Sequence, residues 1–119
     1  MKTPGLRDLS GEEFCYLTTF GRKTNRPHEI EIWFAVEDDK LFMLSGERDR
    51  SDWVRNLMEE PKVRVRISDE TFEGHARTIE GEEDDPLARS LLVGKYKKEP
   101  GKLGRWREES LPVRVDFSP

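Results

Sequence analysis

One short turn, GRKTNRP, carries an unusual amount of positive charge and lies between two segments that look like β-strands. Its cationic side chains and its hydroxyl donor are Arg22, Lys23, Arg26 and Thr24. Gly21 and Asn25 can adopt positive φ at little cost, and successive backbone N–H groups at a hairpin tip can form a concavity that binds an anion. The turn therefore predicts a seat for a phosphate or carboxylate, with an ordinary solvated hairpin tip as the alternative.

The other residues that could do chemistry form no recognisable catalytic set. Glu29 and Glu31 share one strand face, whereas acid–base chemistry would require them across a cleft in unequal environments. His28 and His75 have no companions at metal-ligand spacing, and Cys15 lies in an apolar strand-like run that favours a buried thiol. No dinucleotide fingerprint, P-loop or nucleophile elbow is present. No catalytic side chain is predicted, so any redox chemistry must come from a bound cofactor.

The three tryptophans indicate large flat surfaces. Trp33 breaks the pattern of its strand, because it lies on the polar face and not on the apolar one. An indole at such a position packs under a helix, at a subunit contact or against a planar ligand. Trp53 lies at the start of a predicted helix, and Trp106 lies in a loop or short helical turn before the last strand. For both, packing at the core or its rim is the alternative to a ligand contact.

Composition limits the fold and the partners. The 119 residues fit one domain, residues 1–119, in which residues 1–12 form an N-terminal extension. The net charge of −4 argues against a nucleic-acid partner, which needs a basic face. The single cysteine allows no internal disulfide and favours a reducing compartment. Since no apolar run approaches the ~20 residues of a membrane helix, we expect no membrane span and a cytoplasmic location.

The elements that position these residues are mostly short strands. Apolar, aromatic and β-branched residues alternate or cluster in FCYLTTF, HEIEIWFAVE, KLFMLS, KVRVRIS, TFEGHARTIEG and LPVRVDF. Two helices interrupt them: the first is capped by Ser51 or Asp52 and has Val54, Leu57 and Met58 on one face, and the second is EDDPLARSLLVGKYKK. Because neighbouring hairpins pair antiparallel, this order predicts a mainly β (α+β) fold, a six-stranded antiparallel barrel with two short flanking helices.

These motifs together resemble a known family. YLTTFGRKTNRPHEIEIWF and SDWVRNLMEEPKVRVRI are similar to the deazaflavin (coenzyme F420)-dependent nitroreductase and quinone reductase family. Residues that match its TTxGRK(S/T)G turn and its W-x-x-N-L helix are Thr18, Thr19, Gly21, Arg22, Lys23, Thr24, Trp53, Asn56 and Leu57. Asn25 stands where the family has glycine. The lysine that is typical of the loop after the third strand is absent unless Arg48 or Arg50 substitutes for it.

The resemblance implies a split β-barrel of the flavin-binding superfamily, and an oxidoreductase that reduces a quinone, enone or nitro compound with coenzyme F420. The cofactor-binding residues that it implies are Arg22, Lys23, Thr24, Asn25, Trp33, Ser45, Arg48, Arg50 and Trp53. Tyr96 and Trp106 are the implied substrate-binding residues. The alternatives are an FMN-binding oxidoreductase and a non-catalytic barrel that binds a flavin, tetrapyrrole or lipid. A homodimer is expected through a sheet face that carries Trp33, Arg64 and Arg66.

Overall fold

Seven β-strands and three α-helices make up the computed structural model, which describes residues 5–96 and 103–117. The strands β1 to β7 are Cys15–Phe20, Pro27–Ile32, Ala35–Glu37, Lys40–Ser45, Lys62–Ile67, Glu70–Thr78 and Leu111–Asp116. The helices α1 to α3 are Asp52–Glu59, Asp85–Tyr96 and Leu103–Glu109, and 3₁₀ turns cover Leu6–Leu9 and Arg48–Arg50. Lys97 and Lys98, predicted at the end of the second helix, lie outside the described residues. In the described part of the chain, no helix is both long and apolar enough to cross a membrane.

All seven strands form one antiparallel sheet in the order β2-β1-β5-β6-β7-β4-β3. The edge strands β2 and β3 are consecutive in the chain and are joined only by Trp33 and Phe34. Because such a link spans about 10 Å at most, the sheet must curl until its two edges approach each other, which gives a half-barrel. The prediction of a mainly β, antiparallel fold is confirmed, but the predicted number of strands, six, is wrong.

The additional strand arises because HEIEIWFAVE is two strands and not one. Phe34 ends the first pairing, since its backbone groups bind side chains of α2 and not a neighbouring strand. Its N–H donates to the Tyr96 hydroxyl at 3.1 Å, and its carbonyl accepts from the Lys95 ammonium at 2.9 Å. The chain then leaves β1 and continues beside β4 as β3.

Two apolar layers hold the half-barrel together. The larger fills the inside of the curl, where the alternating residues of β5, Val63, Val65 and Ile67, are buried as their pattern predicts. The smaller lies between α2 and the outer face of the β3–β4 hairpin and includes Phe42 and Leu92. Each such side chain contributes about 1.5–3 kcal/mol by leaving water.

Helix α1 packs on the sheet in a way that the sequence predicts only in part. Val54 and Leu57 are buried as expected, but Met58 is 59% exposed, so its predicted place on the buried face is wrong. Asn56 is buried instead, at 3% exposure. The reason is polar, because the Asn56 amide has hydrogen-bond partners on β1 and in the turn that follows it.

The prediction of two helices is also wrong, because GRWREE, in the segment predicted as a loop or short helical turn, belongs to a third helix, α3. None of the seven residues of α3 is buried. Polar contacts stabilise it instead: Arg105 binds Glu109 one turn later at 3.0 Å, and the last carbonyls of the helix accept hydrogen bonds from Arg48 and Arg89. Donors at the C-terminal end of a helix satisfy carbonyls that have no partner within it.

Candidate functional site

An open cavity of ≈ 700 Å³ lies between the charged turn, residues 21–26, and α1. The lining residues that could bind a ligand or position one that does are Arg22, Lys23, Thr24, Asp52, Trp53 and Asn56. Four of these, the three turn residues and Trp53, were predicted to bind a cofactor. The structure therefore brings together two sequence motifs that lie far apart in the chain.

Arg22 is held in place by the buried amide of Asn56. The guanidinium Nη1 donates to Asn56 Oδ1 at 2.8 Å, and Asn56 Nδ2 donates to Thr19 Oγ1 at 3.2 Å. Thr19 is fully buried, so this chain of hydrogen bonds reaches from the cavity into the core. Buried polar groups are rarely left without partners, and here the amide satisfies both neighbours. The cation at the cavity wall is thereby pre-positioned.

The turn itself leaves backbone donors available. The Gly21 N–H donates to the Arg26 carbonyl and the Asn25 N–H to the Gly21 carbonyl, both at 2.8 Å, and Asn25 has a φ of 59°. Within residues 5–96 and 103–117, the N–H groups of Arg22, Lys23 and Thr24 have no hydrogen-bond partner. Three neighbouring backbone donors beside two cations can form a concavity that binds an anion.

Carboxylates also reach this cavity. Asp52 Oδ1 lies 3.6 Å from Arg22 Nη2, and Glu29 is a lining residue that pairs with Arg66 at 3.9 Å. Lys23 forms no ion pair with any residue that the structure describes. The cavity thus presents two cations and two carboxylates, which makes it less basic than the turn alone predicts.

A second group of predicted residues forms an aromatic cluster elsewhere, under α2 and α3. Trp33 stacks on Tyr96 with ring centroids 4.1 Å apart and 5° between the planes, and it meets the edge of Trp106 at 5.4 Å. Of the alternatives for Trp33, the structure shows packing against a helix. Trp33 is half-buried, which leaves part of its indole exposed. Its predicted contact with the cofactor stays a prediction.

Tyr96 and Lys95 fix the end of α2 to the link between β2 and β3. The Tyr96 hydroxyl donates to the Glu13 carbonyl at 2.6 Å while it accepts from the Phe34 N–H, and burial raises its pKa to about 12. The Lys95 ammonium lies 3.7 Å from the centroid of the Phe34 ring, and burial lowers its pKa to about 8. The Tyr96 hydroxyl is occupied by the backbone, and its predicted contact with a substrate is untested.

Cys15 lies at the start of β1, in the larger apolar layer. Its side chain is fully buried, and burial raises the pKa of the thiol to about 12. A thiol that stays protonated is a poor nucleophile. The prediction of a buried cysteine is confirmed.

The third group, Ser45, Arg48 and Arg50, lies at the end of β4 and in the 3₁₀ turn that leads to α1. Ser45 Oγ is 2.8 Å from Ser51 Oγ and donates to the Arg48 carbonyl at 3.0 Å. Arg48 binds the Glu109 carbonyl at 2.9 Å and pairs with Glu80. None of these three lines the cavity beside the turn, and their predicted cofactor contacts stay predictions.

Sequence reasoning matched Asn56 to a motif without giving it a role, and it gave Asp52 only a capping role. A signal for Asn56 was available, because asparagine is a poor helix former and its place inside an eight-residue helix calls for a specific partner. The position of Asp52 beside Arg22 depends on how α1 docks, which local sequence does not encode.

Comparison with known proteins gives a family and a fold. The sequence model of the F420H(2)-dependent quinone reductase family matches residues 2–118. A solved F420-H2 dependent reductase is 20% identical with a TM-score of 0.73, over 87% of this chain and 94% of that one. Another F420 reductase is 17% identical with a TM-score of 0.70, over 99% and 97% of the two chains. A conserved hypothetical protein of Mycobacterium tuberculosis, Rv2991, is 18% identical with a TM-score of 0.78, over 98% and 82%. No curated protein matches the chain.

Proposed function

The chain belongs to the F420H(2)-dependent quinone reductase family, and from that membership we propose that it is an oxidoreductase that holds reduced coenzyme F420 beside the turn of residues 21–26 and reduces an electron-poor acceptor. Membership confirms the resemblance seen in the sequence and the deazaflavin cofactor that it implied. The acceptor that we propose is a quinone, an enone or a nitro compound. A split β-barrel is the finer description that we propose for the curled half-barrel.

The residues at the cavity fit the anionic end of such a cofactor. The observation that carries the proposal is Arg22 locked by Asn56 at 2.8 Å on the wall of a ≈ 700 Å³ cavity, next to free backbone N–H groups. Charge-assisted hydrogen bonds from a guanidinium and an ammonium are the strong ones, and a donor that is fixed in advance loses little entropy when it binds. Arg22 and Lys23 would bind the phosphate or the acidic tail, with Thr24 as an additional donor.

The bound cofactor supplies the hydride-transfer chemistry. The contribution of the protein is to bind, to orient the planar ring and to exclude water. Trp53 lines the cavity and is half-buried, so an aromatic face is available to a planar group there.

The aromatic cluster is our candidate for the acceptor side of the site. Trp33 and Trp106 are both half-buried and meet at 5.4 Å, which leaves part of each indole open to a flat, electron-poor molecule. Tyr96 supports this surface by stacking beneath Trp33. The role that we propose for Tyr96 is therefore to position Trp33.

We also propose a homodimer through the outer face of β2, β1 and β5. This face has one acidic column, one aromatic column and one basic column, formed by Glu29 and Glu31, by Tyr16 and Phe20, and by Arg64 and Arg66. A two-fold axis along β1 would set the acidic column of one copy against the basic column of the other. Trp33 packs under α2 and has no part in this proposal. Light scattering at micromolar concentration tests it, since a monomer mass contradicts it.

The experiment for the proposed function is a titration of the purified protein with coenzyme F420, followed by oxidation of the reduced cofactor with a quinone. Turnover appears as a gain of absorbance near ~420 nm, because quinone-dependent oxidation regenerates the oxidised deazaflavin, and a flavin would instead absorb near ~450 nm. Binding is followed separately by the quenching of tryptophan fluorescence. We expect binding of coenzyme F420 and quinone-dependent oxidation. Binding of FMN without binding of coenzyme F420 would contradict the proposal.

A further inference from the structure

Asp52 is placed to compete with an anionic ligand for Arg22. It is the first residue of α1, it lines the cavity, and its carboxylate lies 3.6 Å from the guanidinium. In the described part of the chain, it is the one carboxylate that pairs with Arg22. The Asp52 side chain is 84% exposed, whereas that of Arg22 is 28% exposed.

The two partners of Arg22 differ in kind. Asn56 is neutral, buried and bound to Thr19, so it orients the guanidinium without cancelling its charge. Asp52 is charged and has no second anchor on its carboxylate among the described residues. An exposed carboxylate that pairs only weakly can move aside, because such ion pairs contribute little to stability.

We propose that Asp52 is a built-in competitor for the anion seat, which occupies Arg22 until the anionic end of the cofactor displaces it. This inference rests on the proposed binding of coenzyme F420 at the turn. The consequence is that the wild-type protein binds the cofactor more weakly than its cations alone would allow. Asp52 thereby lowers the affinity of the site for every anionic ligand. Ligands with little negative charge, which displace Asp52 from Arg22 poorly, are disfavoured most.

The test compares Asp52→Asn with Glu59→Gln, which removes the same charge from an exposed position at the other end of α1, away from the cavity. Kd for coenzyme F420 is measured at low salt for both variants. We expect Asp52→Asn to lower Kd about three- to five-fold, the size of an exposed ion pair, and Glu59→Gln to leave it unchanged. At ~1 M salt, where the screening length is about 3 Å, the difference between Asp52→Asn and wild type should vanish.

A double-mutant cycle separates competition for Arg22 from a general field effect. In an Arg22→Gln background, Asp52→Asn should no longer tighten binding, because the partner for which it competes is gone. An equal gain with and without Arg22 would overturn the inference, and so would an unchanged Kd in the single variant. In either case wild-type binding of coenzyme F420 would leave the proposed function standing. Failure of the wild type to bind would contradict the proposed function itself.

Discussion

The guanidinium of Arg22 donates to the side-chain oxygen of Asn56 at 2.8 Å, and this one hydrogen bond joins the charged turn to helix α1. The two residues are 34 positions apart in the chain. The bond converts a turn that could be an ordinary solvated hairpin tip into one wall of a cavity with a fixed cation.

Asn56→Ala should therefore impair both folding and binding. It leaves the Thr19 hydroxyl without its partner and costs about 1–3 kcal/mol of unfolding free energy. It also frees Arg22, so Kd for coenzyme F420 should rise about ten-fold through lost preorganisation. Asn56→Asp keeps an acceptor for Arg22 but adds a carboxylate that cancels the charge of the guanidinium, so it should not restore the affinity. Urea unfolding and cofactor titration measure the two effects, and unchanged affinity in Asn56→Ala would show that the bond does not position the seat.

Trp33→Ala tests the aromatic cluster. The variant removes a ring stacked at 4.1 Å on Tyr96, and we expect a loss of about 3–5 kcal/mol in stability, as for other large-to-small changes in packed regions. Trp33→Phe keeps an aromatic face and should cost less than about 1.5 kcal/mol. If Trp33 also meets the acceptor, Trp33→Phe should lower kcat/KM for the acceptor at nearly unchanged Tm. A normal kcat/KM in that variant would leave Trp33 a packing residue only.

The folded protein should gain stability with rising pH through Lys95. Burial lowers its pKa from 10.5 to about 8, so between these values the unfolded chain binds more protons and the free energy of unfolding rises with pH. Cys15 acts in the opposite sense above pH 9, because burial raises the pKa of its thiol from 9.0 to about 12. Comparison with Lys95→Met isolates the lysine. Between pH 7.5 and 10, the urea midpoint of wild type should rise relative to that of Lys95→Met. A difference between the two midpoints that does not change with pH would contradict the lowered pKa.

Ser110→Ala should stabilise the protein. Its hydroxyl is buried and has no hydrogen-bond partner among the described residues, so its removal abolishes a desolvation penalty of about 1 kcal/mol or more. Ser45→Ala is the matched control, because the Ser45 hydroxyl is buried but hydrogen-bonded and its loss should destabilise. Thermal unfolding of both variants compares them directly. A lower Tm for Ser110→Ala would mean that the hydroxyl has a partner after all.

The features that could be read from the sequence are those that depend on local pattern. The alternation of Val63, Val65 and Ile67 gives the buried face of β5, and the charged turn appears where two strand-like runs meet. Both follow from the period of two in a strand and from turn chemistry.

The features that could not be read depend on contacts between distant residues. The single strand predicted for HEIEIWFAVE divides at Trp33 and Phe34, because Tyr96, 62 residues away, binds the backbone of Phe34 and no local signal marks that partner. Met58 has the spacing of a buried residue, but the buried position beside it is taken by Asn56, which binds Thr19 and Arg22. Helical spacing predicts which residues share a face of the helix, and hydrogen bonds to other elements determine which of its residues are buried.

The most direct test of the central claim is the dissociation constant of coenzyme F420 for wild type and for Arg22→Ala/Lys23→Ala, with Arg26→Ala as the control from the same turn. The side chain of Arg26 is not among those that line the cavity, and its carbonyl, which binds Gly21, is unaffected by the change. Loss of two charge-assisted contacts should cost about 2–5 kcal/mol, which raises Kd by about thirty-fold or more. We expect that rise in the double variant, with a Tm lowered only by the lost hydrogen bond to Asn56, and a Kd and Tm close to wild type for Arg26→Ala. Equal affinity of wild type and the double variant would contradict the claim that this turn holds the cofactor.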